Sequence, residues 1–359
     1  MSKIEKLQAL LSSGEAAMII SAENQSYLLG FEASNGYLFV GKENSVYITD
    51  SRYITAAKEE TAGIVDECVL QQRDFNAQLA QIFSRFSVKS ILFEGTRVSA
   101  FRAAQFEKKF GGKYQLDFSD KLDNLLLMKL RRCKDSSELD KILRAQSVTQ
   151  AAFEHIIGFI RPGVSELEIA RELDYYMLTH GADALSFETI VVSGENTAKP
   201  HGVPSGRRVK GGEFVTMDFG AAVDFYHSDM TRTICVGEPS DEMVRVYNVV
   251  LLAQSAAFSA AADGVPCREV DKAARDVITE AGYGEYFGHA TGHGVGVEIH
   301  EQPCFSPSSK DICRAGDVIT DEPGIYIPGK FGVRIEDMLY IGEDSVKNLT
   351  DSEKKLICI

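Results

Sequence analysis

The sequence predicts an α+β protein: a small α/β domain over residues 1–130, then a larger domain over residues 131–359 built from two related halves. Three observations lead there. Short apolar strand patterns alternate with amphipathic helix patterns through the first 130 residues. A long helical pattern, "RRCKDSSELDKILRAQSVTQAAFEHIIGFI", then marks the boundary. Beyond it, "GVSELEIARELDYYMLTHGA" from Gly163 and "GVPCREVDKAARDVITEAGY" from Gly264 repeat one design at an offset of 101 residues, each closing on a glycine, Gly181 or Gly282.

In chain order, residues 3–12 read as a helix, followed by strands "AAMII", "GYLFVG" and "SVYITD", a helix after Arg52, strand "SILFEG" and helix "SAFRAAQFEKKF". The strand runs are short, apolar and bounded by turn-forming residues. The long helix that follows takes Asp135 or Ser136 as its N-cap, since either side chain can accept from the free N–H groups of the first turn. Each repeated helix is followed by strands rich in carboxylates, "FVTMDFGAAVDFYHSDMTRTICV" after the first and "VITDEPGIYIPGKFGVRIEDMLYI" after the second. Two halves that each offer a hairpin with an acid on either strand bring four carboxylates together if they face one another.

Composition narrows the classes of function. With 359 residues, 44% hydrophobic and 25% charged, the chain is globular rather than disordered. No apolar run approaches the roughly 20 residues of a bilayer span, and "MSKIEKLQALLSSGEA" is amphipathic without a signal peptide's apolar core, so a cytoplasmic location and no membrane partner are expected. The seven cysteines are scattered without a CxxC pair, which suits reduced thiols. Residues 131–359 carry 23 basic against 36 acidic side chains, an excess that argues against nucleic acid as a partner. All seven histidines also lie beyond residue 150.

That concentration of acids and histidines points to metal chemistry. Asp218, Asp229, Glu322 and Glu336 cannot all be buried in ionised form without a counter-charge, because several kcal/mol of desolvation per ion persist even after relaxation. Two divalent ions cancel their formal charge. His293 adds a nitrogen ligand, and the mixed set suits Mn, Co, Zn or Fe better than Ca or Mg alone. Two ions held side by side make water reactive near neutral pH, so the implied reaction is metal-assisted hydrolysis.

The stretch "TGHGVGVEIHE", residues 291–301, carries two of the histidines. Its glycines are expected to allow close approach of the backbone to the metals. In one regular strand His293 and His300 face opposite sides, so a bend or bulge is needed if both serve one site. His201, His289 and His300 are expected to hydrogen-bond the substrate carbonyl or the developing oxyanion. Two other motifs are decoys. "GHGVG" falls short of GxGxxG at Val297, and "GIYIPGKF" has phosphate-loop spacing but puts Phe331 where Ser or Thr would bind Mg and Pro328 where an N–H is needed.

Taken together, "MDFG", "SDMTRT", "GHATGHGVGVEIHE", "EPGIY" and "GVRIED", in that order, resemble the signature of the pita-bread metallopeptidases, in particular the aminopeptidase P and Xaa-Pro dipeptidase (prolidase) branch. "YLLGF" and "DSRY" extend the likeness into a creatinase-like N-terminal domain. The resemblance implies a pseudo-twofold catalytic domain and a dinuclear centre of Asp218, Asp229, His293, Glu322 and Glu336, with Asp229 and Glu336 bridging. It implies His201, His289 and His300 as substrate and transition-state groups, Glu322 as the proton shuttle, and Tyr326 and Arg334 near the substrate. It further implies manganese first, with cobalt, zinc and iron as alternatives, peptides with proline at the second position as substrates, and a homodimer. Dipeptidase and aminopeptidase activities both remain open. Methionine aminopeptidase-like specificity is the alternative within the enzymes, and a non-catalytic binding protein on the same fold is the alternative outside them. One departure stands out: Asp321 precedes "EPG" where the family commonly has an apolar residue, and strand alternation turns it away from Glu322.

Overall fold

A computed structural model describes residues 1–33 and 35–359, and the chain divides into two compact units, Met1–Arg131 and Arg132–Ile359. In the first unit a six-stranded sheet runs in the order Glu67–Leu70, Ser45–Thr49, Gly36–Gly41, Glu15–Ile19, Ser90–Phe93, Gln115–Asp117. Its middle strands pair antiparallel and its outer pairs parallel. Helices Phe75–Arg85 and Ala100–Phe110 bring Leu79, Ile82, Phe83, Phe106 and Phe110 into one core with Phe39, Ile91 and Phe93 of the sheet. The periodicity argument misses helices Ala22–Leu29 and Phe75–Arg85 and the strands Glu67–Leu70 and Gln115–Asp117. Two of these carry a local signal: Ser21 and Asp74 cap the two helices, accepting from the N–H groups of Asn24 and Ala77. The expected strand "SILFEG" stops at Phe93 because Glu94 turns inward, fully buried, to accept hydrogen bonds from Ile20, Ser21 and Asn24.

The second unit opens with helix Ser136–Phe159. Asp135 is its N-cap, in a reciprocal capping box with Glu138. The repeat seen in the sequence has a structural counterpart. Helices Glu166–Thr179 and Cys267–Glu280 have 14 residues each and start and end 101 residues apart. Gly163 and Gly264 before them, and Gly181 and Gly282 after them, all have positive φ, a backbone conformation that glycine adopts without steric cost.

Each repeated helix packs on a longer one, Ser136–Phe159 in the first half and Asp241–Ala260 in the second, and each pair covers its own sheet. The first sheet contains Met230–Val236, Glu213–Phe219 and Ile190–Ser193, all antiparallel. The second runs Glu301–Phe305, Gly292–Gly294, Val318–Asp321, Asp337–Ile341, Val346–Asn348. This is the α+β pita-bread architecture.

One helix needs separate account. Asp241–Ala260, at 20 residues, is by length and composition alone long and apolar enough to cross a membrane. Arg245, Asn248 and Gln254 interrupt the run in the sequence, and on the helix Met243, Val246, Tyr247, Val250, Ala253 and Ala257 form a stripe buried in the core of the second half. Removing the cap of the opening helix tests how far local signals hold the second unit. Asp135→Ala should lower its stability by about 1 kcal/mol, read as a lower urea midpoint of the second unit's unfolding transition.

Candidate metal centre

The carboxylates expected to converge sit at strand ends. Asp218 lies on Glu213–Phe219, opposite Thr231 in the register, while Asp229 immediately precedes Met230–Val236. In the second half Glu322 immediately follows Val318–Asp321 and Glu336 immediately precedes Asp337–Ile341. These four, with His293, line one cavity of about 410 Å³. Phe187, Glu188, Ile190, Pro200, His201, His289, Ala290, Ile299, His300 and Arg334 complete its wall. Of the catalytic, substrate-binding and metal residues expected from the sequence, Tyr326 alone is missing from that wall. Its hydroxyl accepts from Arg334 at 3.0 Å and lies 2.8 Å from Nε2 of His289.

The donor atoms are spaced for metal ions. Asp229, His293 and Glu336 each offer a ligand atom within 4.8 Å of the others. Nε2 of His293 lies 3.6 Å from Oδ2 of Asp229 and 3.4 Å from Oε1 of Glu322. Ligand bonds near 2.1 Å in a tetrahedral arrangement put neighbouring donors about 3.4 Å apart, so these spacings fit a shared ion. Nδ1 of His293 lies 3.1 Å from the Gly294 carbonyl, a partner that fixes the proton there and leaves Nε2 free to ligate. Among the described residues, Oδ1 of Asp218 and Oδ1 of Asp229 are buried without a hydrogen-bond partner, which is how an oxygen reserved for a cation is left.

Neighbouring groups hold the other oxygens. Arg334 donates to Oδ2 of Asp218 at 2.5 Å, Thr231 donates to Glu336 at 2.6 Å, and Thr320 donates to Glu322 at 3.1 Å. Arg334 also donates to Thr231 Oγ1 and to the Pro200 carbonyl. Electrostatics agree with the geometry. Burial, reinforced by the neighbouring acids, drives the carboxyls of Asp229 and Glu336 well above the usual range. Burial foremost, then Asp218, pushes Glu322 up to about 7. Such a cluster needs protons or cations, and divalent ions are the cations that match its donor set.

The stretch "TGHGVGVEIHE" proves to be no single strand. Gly292–Gly294 pairs with Glu301–Phe305, and the register shifts between His293 and Gly294 before a run of bends. That irregularity brings the rings of His293 and His300 to 4.4 Å between centroids. The glycines also make room for the adjoining strands: a Cβ at Gly292 would lie 1.9 Å from the Thr320 carbonyl oxygen, and one at Gly294 would lie 2.6 Å from that of Gln302.

His201 and His300 face the open side of the cavity. His289 differs from expectation, because both its ring nitrogens are engaged, Nδ1 with the Ala290 carbonyl at 2.7 Å and Nε2 with Tyr326. Burial and then Arg334 lower its pKa to about 4, keeping the ring neutral. As folded it orients Tyr326 and offers no spare N–H to an oxyanion. The sequence reading also missed Thr231, which ties Glu336 to Arg334. Its signal was present in "SDMTRT", two positions beyond Asp229 and therefore on the same strand face.

Asp321 is absent from the cavity wall. It is fully buried opposite Asp337 in the register, and neither of its oxygens has a hydrogen-bond partner. Burial, and after it Asp337, raises its carboxyl well above the ordinary value.

Residues 140–343 match the model of metallopeptidase family M24, and residues 3–132 match that of the creatinase/prolidase N-terminal domain. The chain is 36% identical to the Xaa-Pro dipeptidase of Pyrococcus furiosus over 99% of both chains. Among solved structures it is similar to an Xaa-Pro dipeptidase from Bacillus anthracis (TM-score 0.93, 38% identity, 99% of each chain). It is also similar to an X-Pro aminopeptidase from Thermotoga maritima (TM-score 0.91, 35% identity, 98% of this chain and 100% of that one).

The raised carboxyl of Asp321 has a stability consequence of definite sign. Its contribution is fully present below the carboxyl's unfolded pKa and is lost as the pH rises toward the higher folded value. Asp321→Asn should therefore stabilise the metal-free protein at pH 8 by about 1–3 kcal/mol, because the amide escapes the cost of burying a charge, and by much less at pH 4.5, where the acid is already neutral. Urea unfolding at the two pH values measures this, and an equal gain at both would remove the charge explanation.

Proposed function

Because this chain belongs to metallopeptidase family M24, we propose that it is a dinuclear metal exopeptidase that cleaves the bond between an N-terminal residue and proline. The observation that carries the reading is the convergence of Asp218, Asp229, His293, Glu322 and Glu336 on one cavity, with two buried carboxylate oxygens lacking any other partner. Similarity to an Xaa-Pro dipeptidase and an X-Pro aminopeptidase supports the proline preference. Asp218, Asp229, His293, Glu322 and Glu336 would hold the ions, with Asp229 and Glu336 the pair that the family resemblance implies as shared. Manganese is the first candidate, followed by cobalt, zinc and iron. The same reading extends to a homodimer, as the family resemblance implies, and to a cytoplasmic location.

Divalent ions held there would supply Lewis acidity, which makes water reactive near neutral pH. The protein's own groups do the rest. An Xaa-Pro bond has no N–H and a ring that fixes φ, so it cannot be gripped as an extended strand. Phe187, Ile190 and Ile299 give the cavity apolar wall for that ring. His201 and His300, on the open side, meet the substrate carbonyl and the charge that develops on it. Glu322, on the cavity wall beside His293, is placed to carry a proton toward the leaving proline nitrogen. Arg334 fixes Asp218 from behind, and Tyr326 links Arg334 to His289.

Metal-free protein loaded separately with Mn, Co and Zn should hydrolyse an Xaa-Pro dipeptide or an Xaa-Pro-Xaa tripeptide well ahead of Xaa-Ala controls. Confinement to the dipeptide identifies a dipeptidase, and preference for the tripeptide an aminopeptidase. Cleavage of Met-Ala peptides with none before proline would overturn the specificity in favour of a methionine aminopeptidase-like enzyme. Glu336→Ala should lose at least about a thousandfold in turnover, a loss typical of removing a group the chemistry requires. Circular dichroism should stay unchanged while bound metal, measured by elemental analysis, falls. Wild-type turnover in that variant would sink the ligand assignment.

A further inference from the structure

Glu166 is the first residue of helix Glu166–Thr179 and is completely buried, yet it belongs to none of the groups at the metal centre. Its carboxylate gathers five hydrogen bonds. Oε1 accepts from the N–H and hydroxyl of Ser193 at 2.7 and 2.9 Å and from the amide of Asn196 at 3.1 Å. Oε2 accepts from the N–H and hydroxyl of Ser205 at 3.1 and 2.6 Å. Ser193 and Ser205 are the two ends of the segment "GENTAKPHGVP", residues 194–204, which carries the exposed His201. One side chain therefore clasps both ends of the loop that presents a histidine to the open side of the cavity.

The rest of the loop is fastened at two further points. Gly332 N–H donates to Thr197 Oγ1 at 2.8 Å, and Arg334 donates to the Pro200 carbonyl at 3.1 Å, one residue before His201. Arg207 supports the clasp by donating to Ser193 Oγ while pairing with Glu213. Position at the start of a helix also suits the carboxylate, since the free N–H groups there favour negative charge. A buried carboxylate with both oxygens fully engaged is held in one rotamer, and it passes that precision to whatever donates to it.

We propose that Glu166 is a positioning residue for His201, fixing the 194–204 loop so that the imidazole meets the substrate; the catalytic part rests on the exopeptidase reading above. Glu166→Gln keeps the shape but substitutes a donor for one of the two acceptor oxygens, so one end of the loop is released. The expected result is a fall in kcat of about 10–100-fold, the range typical of a lost supporting contact, with KM within about threefold. Manganese affinity, titrated calorimetrically into the metal-free protein, should stay within about twofold because no proposed ligand touches Glu166. In a His201→Ala background the same substitution should cost almost nothing further, since the loop then has no imidazole to position. Hydrogen exchange should quicken across residues 194–205 and not in helix Ser136–Phe159. Ser205→Ala, which removes a single arm, is the milder variant should Glu166→Gln fold poorly, and should show the same pattern at smaller size.

Additive costs of Glu166→Gln and His201→Ala, or unchanged exchange in the 194–205 segment, would overturn the proposal. Exchange is read without substrate, so it decides the positioning role even if the wild-type protein cleaves no Xaa-Pro peptide, a result that counts against the exopeptidase reading instead.

Discussion

Carboxylates repel one another most strongly where water is excluded, and Asp218, Asp229, Glu322 and Glu336 are drawn together in such a place. Among the described residues lining that cavity, Arg334 is the one permanent cation. It is already engaged with Asp218, Thr231, Tyr326 and the Pro200 carbonyl. The protein thus assembles the cluster against its own electrostatics, and the fold must hold it until a stronger counter-charge arrives. Placing the acids at strand ends in two separately packed halves supplies that rigidity. Each strand is anchored in its own apolar core, so the carboxylates cannot relax apart without disturbing those cores.

The same logic accounts for the layer behind the acids. Thr231, Thr320 and Arg334 donate to one oxygen of Glu336, Glu322 and Asp218 respectively, which aims each carboxylate without neutralising the cluster. Glu166 does comparable work behind the loop that carries His201, where no proposed metal ligand is involved. Its five acceptor contacts hold a loop that Gly332 and Arg334 also fasten. The substrate side and the metal side of the cavity therefore share Arg334 as their common fastening.

Much of this was legible in the sequence because it is written in local pattern. The offset of 101 residues gave the two-half organisation, and the acids and His293 announced themselves by residue type and by motif. What stayed hidden depended on tertiary partners. Phe75–Arg85 is amphipathic but short, and only its packing on Phe39 and Phe93 makes it a core helix. His289 reads as a donor until Tyr326, 37 residues away, takes its second nitrogen. The glycines at 292 and 294 give no hint of the neighbouring strands that press on them. Glu166 gives no signal at all, since a glutamate in the first turn of a helix is ordinary and its partners lie 27 to 39 residues away.

The register of the second-half sheet raises a problem that the acids alone do not resolve. Asp321-Glu322 and Glu336-Asp337 put carboxylates at consecutive positions on paired strands, so polarity does not say which face belongs to the cavity. The preceding residues do. Ile319 pairs with Leu339 and both belong to the core under helices Asp241–Ala260 and Cys267–Glu280, which sends Asp321 and Asp337 to the same side by strand alternation. Thr320 takes the other face and hydrogen-bonds Glu322. On the core side Asp337 is met by Arg232, Gln254, Asn348 and Lys354, and against the pull of burial Arg232 and Lys354 hold its carboxyl below the usual value. Asp321 has no comparable set of donors. A slip of one residue would drive Glu322 into the apolar core and remove Asp337 from its four donors, so the partners of Asp337 lock the register that delivers Glu322 and Glu336 to the metals. On this argument Asp321 is the cost of a neighbouring position in that lock, tolerated because the register is fixed by stronger interactions on either side of it.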